Sequence, residues 1–124
     1  MELGDLYTEV VTEYSRSQKH RHPLENPDVT MRGVNPSCGD EIELFLKMKD
    51  GAIEDASYTG IGCAISQASV SIMIDLVRGK TPAEARELCR LFLNMIRRIP
   101  LSADVKCATM PWHTLETALD AVKE

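Results

Sequence analysis

Aromatic residues are scarce, at 5% of the 124 residues, so the core must be filled by Leu, Ile, Val, Met and Ala. Long apolar runs are absent as well. No window approaches the ~18 consecutive apolar residues of a membrane span, and no membrane association is expected. Basic residues are outnumbered, with 14 Lys and Arg against 19 Asp and Glu for a net charge of -5. That balance argues against a generic nucleic-acid binder, which needs a basic face to replace phosphate counterions. The opening stretch, "MELGDLYTEVV", lacks the basic and apolar regions of a signal peptide. The expected location is therefore cytoplasmic, where thiols stay reduced. No Cys-x-x-Cys occurs: Cys38, Cys63, Cys89 and Cys107 are separated by 25, 26 and 18 residues. Zinc-ribbon and thioredoxin spacings are thereby excluded, and the cysteines are left to ligation, catalysis or plain burial.

The remaining composition, 44% hydrophobic and 27% charged, is that of one folded domain spanning residues 1–124. Leu3 to Tyr14 reads as an amphipathic helix, with Leu3, Leu6, Tyr7, Val10, Val11 and Tyr14 at three- to four-residue spacing. "SRSQKHRHPLENPD" reads as a polar loop that leaves His20 and His22 in solvent. A short strand is expected over Val29 to Val34. "EIELFLKMK" then alternates Ile42, Leu44, Leu46 and Met48 against Glu41, Glu43, Phe45, Lys47 and Lys49, the period of a half-buried strand. Asp50-Gly51 is a favoured type I′ hairpin turn, and "AIEDASYTG" is its returning arm.

Three helices follow. The first runs from Ala64 to Val77, of weak propensity because of its Ser and β-branched content, with Gly79 as its C′ residue. Thr81-Pro82-Ala83-Glu84 is a capping box with proline at N1. The helix it opens is expected to bury Ala85, Leu88, Cys89, Phe92, Met95 or Ile96, and Ile99. A last helix is expected from Ala108 or Pro111 to Val122. The fold class is α+β: a three-stranded antiparallel sheet with helices packed on one face.

Cys89 shares the apolar stripe of its helix and reads as a small core hydrophobe. The other three cysteines have a different setting. Cys38 lies in the turn "NPSCGD", Cys63 follows Gly-Ile-Gly and opens a helix, and Cys107 is expected just before the last helix. Helix N-termini favour thiolate anions. Each alone reads as a half-exposed loop cysteine. Together with Asp40, the three could instead form a four-coordinate shell for zinc, or for an iron–sulfur cluster with one replaceable ligand. A closed structural zinc knot is less consistent with an oxygen ligand.

"NPSCGDEIEL", "GIGCAIS" and "VKCATMPWHTLETAL" resemble the three cysteine motifs of the IscU / NifU N-terminal family of iron–sulfur scaffold proteins. Together with "ASYTG" and "VRGK", the similarity extends from Leu3 to Val122, and the SufU-type branch is the nearest. The resemblance implies an IscU/SufE-like α+β fold, with Cys38, Asp40, Cys63 and Cys107 converging as ligands and Cys89 left out. It implies a scaffold that accepts sulfur from a pyridoxal-phosphate cysteine desulfurase. Such a scaffold binds zinc at rest or a transient 2Fe–2S or 4Fe–4S cluster, and hands the cluster to apo iron–sulfur proteins or carriers. The alternative it implies is a zinc-dependent sulfurtransferase that relays persulfide and builds no cluster. Cys38 and Cys107 are the candidate persulfide acceptors. Lys106 stands where the IscU branch has histidine, as in SufU-like sequences, whereas the 44-residue step from Cys63 to Cys107 is close to the IscU length. His113 reads as a surface residue of the last helix. Trp112 could lie in the core or on a partner surface.

Overall fold

The computed structural model describes residues 9, 12–13, 18–36, 39–98 and 102–122. The expected helix over Leu3 to Tyr14 falls largely outside them, as do Cys38 and Ile99. Three strands, β1 (Val29–Asn35), β2 (Asp40–Lys49) and β3 (Ala52–Ile61), form an antiparallel sheet in the order β1-β2-β3. Three helices follow: α1 (Ala64–Val77), α2 (Pro82–Ile96) and α3 (Ser102–Asp120).

The meander follows from local chemistry. Asp50 and Gly51 have φ of 53° and 78°, the left-handed pair that a two-residue hairpin matching the sheet's twist requires. Alternation in β2 puts Ile42, Leu44 and Leu46 into the core, with Glu41 and Glu43 outside. Phe45 departs from the expected half-buried pattern, because it is buried on the opposite face. The middle of β2 is thus covered on both sides.

The free edge of β3 is closed by the segment expected to be a solvated loop. The Tyr58 N–H donates to the His20 carbonyl at 2.9 Å, and Arg21 Nη2 donates to the Gly60 carbonyl at 2.6 Å. His20 is buried rather than solvated, 5% exposed, with Nε2 2.6 Å from Asp75 Oδ1 on α1. Lys19 reaches the same carboxylate at 3.3 Å. A neighbouring segment occupying a sheet edge removes its unpaired backbone groups from solvent. His22 is exposed, as expected.

Helix α1 has weak intrinsic propensity and is stabilised by burial: Val70, Met73, Ile74 and Val77 enter the core beside the buried Ser66, Ser69 and Ser71. In α2 the capping box is complete: the Glu84 N–H donates to Thr81 Oγ1 at 3.2 Å, and the Thr81 N–H donates to Glu84 Oε1 at 3.0 Å. Its buried stripe is Pro82, Ala85, Cys89, Leu93 and Ile96, while Met95 faces solvent and Leu88 and Phe92 are half-buried. Phe92 stacks on Trp112 at 4.7 Å between ring centroids, so Trp112 is a core residue.

Helix α3 begins earlier than expected and contains Pro111 in its interior. Proline there cannot donate to the Cys107 carbonyl four residues back. Side-chain hydroxyls occupy the carbonyls around it. Thr109 Oγ1 donates to Val105 O at 2.8 Å, Thr114 Oγ1 to Met110 O at 2.8 Å, and Ser69 Oγ of α1 to Ala108 O at 2.5 Å. Packing against the sheet and α1 therefore overrides the local signal to break the helix at Pro111. Ala108, Trp112, Leu115, Ala118 and Leu119 carry α3 into the core.

Candidate metal centre

At one end of the sheet three elements bring different donors together. Asp40 is the first residue of β2, Cys63 is the N-cap of α1, and Cys107 lies in the second turn of α3. One donor atom from each lies within 4.8 Å of the others. Asp40 is buried with Oδ1 accepting the Cys63 N–H at 2.9 Å, and Oδ2 is 3.8 Å from Cys63 Sγ. For bonds of ~2.3 Å to sulfur and ~2.0 Å to oxygen, a tetrahedral ion sets its sulfur and oxygen ligands about 3.5 Å apart. The donor chemistry fits zinc, and the Asp40–Cys63 pair needs to contract by only a few tenths of an ångström to reach that spacing.

The backbone around these donors explains the glycines of "TGIGC". Gly60 has a φ of 130°, and a Cβ there would lie 2.2 Å from the Glu41 carbonyl oxygen on the paired strand. A Cβ on Gly62 would lie 2.4 Å from Ser66 Oγ and 3.7 Å from Asp40 Oδ1. Gln67 Nε2 donates to the Gly62 carbonyl at 2.7 Å and holds this approach. Ser66 Oγ sits 3.7 Å from Cys63 Sγ while donating to the Cys63 carbonyl at 3.1 Å.

Cys107 differs from its expected setting. It is not in a loop before a helix but within α3, and it is 3% exposed. Ser69 fixes its height, because its 2.5 Å bond to the next carbonyl, that of Ala108, ties α3 to α1. Asn35, at the end of β1, donates from Nδ2 to Cys107 Sγ at 3.5 Å. Sequence reasoning missed Asn35, Ser66 and Ser69. Asn35 carried a signal only as a turn residue before proline, and the two serines carried none.

Cys89 stays apart, fully buried in the core, and its thiol is pushed up to about 12 by burial and then by the nearby Glu116 charge. It has no place in the donor group, in agreement with the periodicity of its helix. His113 points its Nδ1 to Glu116 Oε1 at 3.0 Å on the surface. Among the described residues no histidine joins Asp40, Cys63 and Cys107. Lys106 is exposed and lines, with Arg32, Asn35 and His113, an open groove of about 420 Å³ between β1 and α3.

A sheet meander carrying helices on one face thus gathers sulfur and carboxylate donors at one end. Residues 6–124 match the family described as NifU-like N terminal domain, and the chain belongs to that family. It is 35% identical to the iron-sulfur cluster assembly scaffold protein IscU of Thermotoga maritima, covering 94% of each chain. It is 31% identical to the zinc-dependent sulfurtransferase SufU of Bacillus subtilis, covering 92% of this chain and 89% of that one. The crystal structure of the SUF-system protein FiSufU from Fervidobacterium islandicum superposes with a TM-score of 0.86 at 35% identity, covering 95% of this chain and 99% of that one. These likenesses make the chain an IscU/SufU-family scaffold with an IscU-like fold. Among the described residues no helix is long and apolar enough to cross a membrane.

Proposed function

We propose that the chain is an iron–sulfur cluster assembly scaffold that receives sulfur from a cysteine desulfurase and passes the nascent cluster to apo-proteins. The observation that carries this reading is the mixed group of Asp40, Cys63 and Cys107 donors within 4.8 Å. Two thiolates and a carboxylate bind a soft metal or a cluster, while the oxygen ligand exchanges more readily than sulfur and suits delivery. Cys38, two residues before Asp40 in the chain, is the fourth ligand in this reading. Two residues of chain reach at most about 7 Å, which keeps it within range of the same ion.

Sulfur arrives by thiol exchange. A thiolate of this chain attacks the terminal sulfur of the desulfurase persulfide. The new S–S bond forms as the old one breaks, and the desulfurase cysteine leaves as a thiolate. Burial of Cys107 restricts such an approach and supports Cys38 as the acceptor, with Cys107 as the alternative. A Cys38→Ser protein that still takes up sulfane sulfur, read by mass spectrometry, would reject that choice. Zinc, when bound, holds its thiolate ligands deprotonated and protects them until a partner displaces one.

The second reading is a zinc-dependent sulfurtransferase that relays sulfur without building a cluster. The exposed Lys106 beside Cys107 and the absence of histidine from the donor group among the described residues favour it. The two readings part in one experiment. Anaerobic incubation with ferrous iron, cysteine and a desulfurase should give cluster absorption and a Mössbauer signal on the chain. Strong stimulation of desulfurase turnover with no cluster formed replaces the scaffold with the relay.

A further inference from the structure

We propose that Asn35 is a positioning residue of this centre: its side-chain amide orients the Cys107 sulfur and tunes its donation to a bound metal. This rests on the metal-binding reading of the Asp40–Cys63–Cys107 group. Asn35 is the last residue of β1, it is 5% exposed, and its backbone pairs with Asp40, the first residue of β2. Its Nδ2 donates across to Cys107 Sγ on α3 at 3.5 Å. One side chain therefore links the strand pair that starts with the Asp40 ligand to the helix that carries the sulfur ligand.

The physical argument has two parts. A buried amide N–H is costly to leave without an acceptor, so the Asn35 rotamer and the direction of the Cys107 side chain constrain each other. An N–H donor to a thiolate is also charge-assisted and draws electron density from the sulfur. The metal-bound sulfur keeps lone pairs for such a donor. A hydrogen bond made to a metal ligand by a neighbouring group orients that ligand and sets its donor strength. Removing the amide should therefore change both how tightly the metal is held and the electronic character of its bond to sulfur.

Cobalt(II) replaces zinc and makes that bond visible through its thiolate-to-cobalt charge-transfer band. In the Asn35→Leu protein, similar in size but without a donor, the fully loaded band should move to longer wavelength than in the parent. An unshielded sulfur gives up an electron more easily. Cobalt and zinc affinities, measured by competition with a chelator, should fall about 10- to 100-fold, because losing the fixed direction of the sulfur outweighs its stronger donation. A role confined to packing would lower the melting temperature and leave the band in place, which overturns the proposal. Asn35→Ser, smaller and unable to reach the sulfur, carries the same expectation should the leucine variant fail to fold. A parent protein with the band and variants matching it in band position and affinity overturn this proposal alone. A parent protein with no thiolate-to-cobalt band overturns the metal-binding reading and this proposal together.

Discussion

A single methyl group at Gly33 probes how tightly the strand leading to the candidate centre is locked to the helix carrying Cys107. A Cβ at this position would lie 1.9 Å from Thr114 Oγ1, 3.0 Å from its Cβ and 3.1 Å from its Cγ2. Ordinary contact between such atoms is at about 3.5 Å, so the nearest pair must separate by roughly 1.5 Å. Thr114 has little freedom to comply, because it is buried and its Oγ1 donates to the Met110 carbonyl at 2.8 Å. Either α3 moves away from β1 or the hydroxyl bond is lost. Overpacking and a lost buried hydrogen bond together cost about 2–4 kcal/mol. Because Gly33 sits in an extended strand, alanine regains about 0.4–1 kcal/mol by restricting the unfolded chain. The net expectation for Gly33→Ala is a loss of about 1–3 kcal/mol, or roughly 4–12 °C in melting temperature. Thermal and urea unfolding of Gly33→Ala, Thr114→Ala and the double variant close a cycle. Removing the Thr114 branch should relieve the clash and leave a favourable coupling of at least about 1 kcal/mol. Zinc affinity should follow stability in the cycle, since α3 positions Cys107. A Gly33→Ala protein within about 0.5 kcal/mol of the parent, or strictly additive effects, would refute the close contact between β1 and α3.

Cys89→Ala should leave metal content by elemental analysis unchanged and cost about 1 kcal/mol by the small void it creates. With its thiol pushed up to about 12, native Cys89 should also resist alkylation at pH 8 until the protein unfolds, a difference that peptide mass mapping resolves. Asp40→Ala removes the oxygen donor together with the acceptor of the Cys63 N–H, and should cost about 1–2 kcal/mol of stability. Bound metal or cluster should then leave more slowly to a chelator, because the labile arm is gone; complete loss of binding would make Asp40 an essential ligand of a tight site. At Asp75 burial raises the carboxyl pKa, but the hydrogen bonds and charges of His20 and Lys19 together outweigh it and hold the group below its usual range. A depressed folded-state pKa contributes stability that is full above the unfolded value, about 3.9, and fades as pH falls through the folded value. Asp75→Asn should thus lower the urea midpoint at pH 6, and the gap to the parent should narrow as pH falls below the unfolded value; a gap that widens in acid would contradict the pairing.

The periodic elements were legible from sequence because their signals are short-range. The Asp50–Gly51 hairpin, the Thr81 capping box and the bounds of α1 are set by residues a few positions apart. Helical phase alone places Cys89 in the core. Misreadings arose where a distant partner reversed a local preference. Pro111 read as a helix start but lies inside α3, where neighbouring hydroxyls meet the carbonyls around it. His20 read as a loop residue but is buried against Asp75, 55 positions away. In α2 the phase was right, while the burial of Leu93 and the exposure of Met95 depended on which side faced α3.

Local patterns encode the meander, helices α1 and α2 and the donor types of the centre, because hydrophobic period, turn chemistry and the choice of Cys and Asp are properties of short stretches of chain. Packing of distant elements sets the distances: Asp40, Cys63 and Cys107 meet within 4.8 Å, Cys107 is buried in a helix, and Asn35 reaches its sulfur across 72 positions. Those facts depend on how strands and helices pack, and no local pattern encodes a contact whose partner lies on another element.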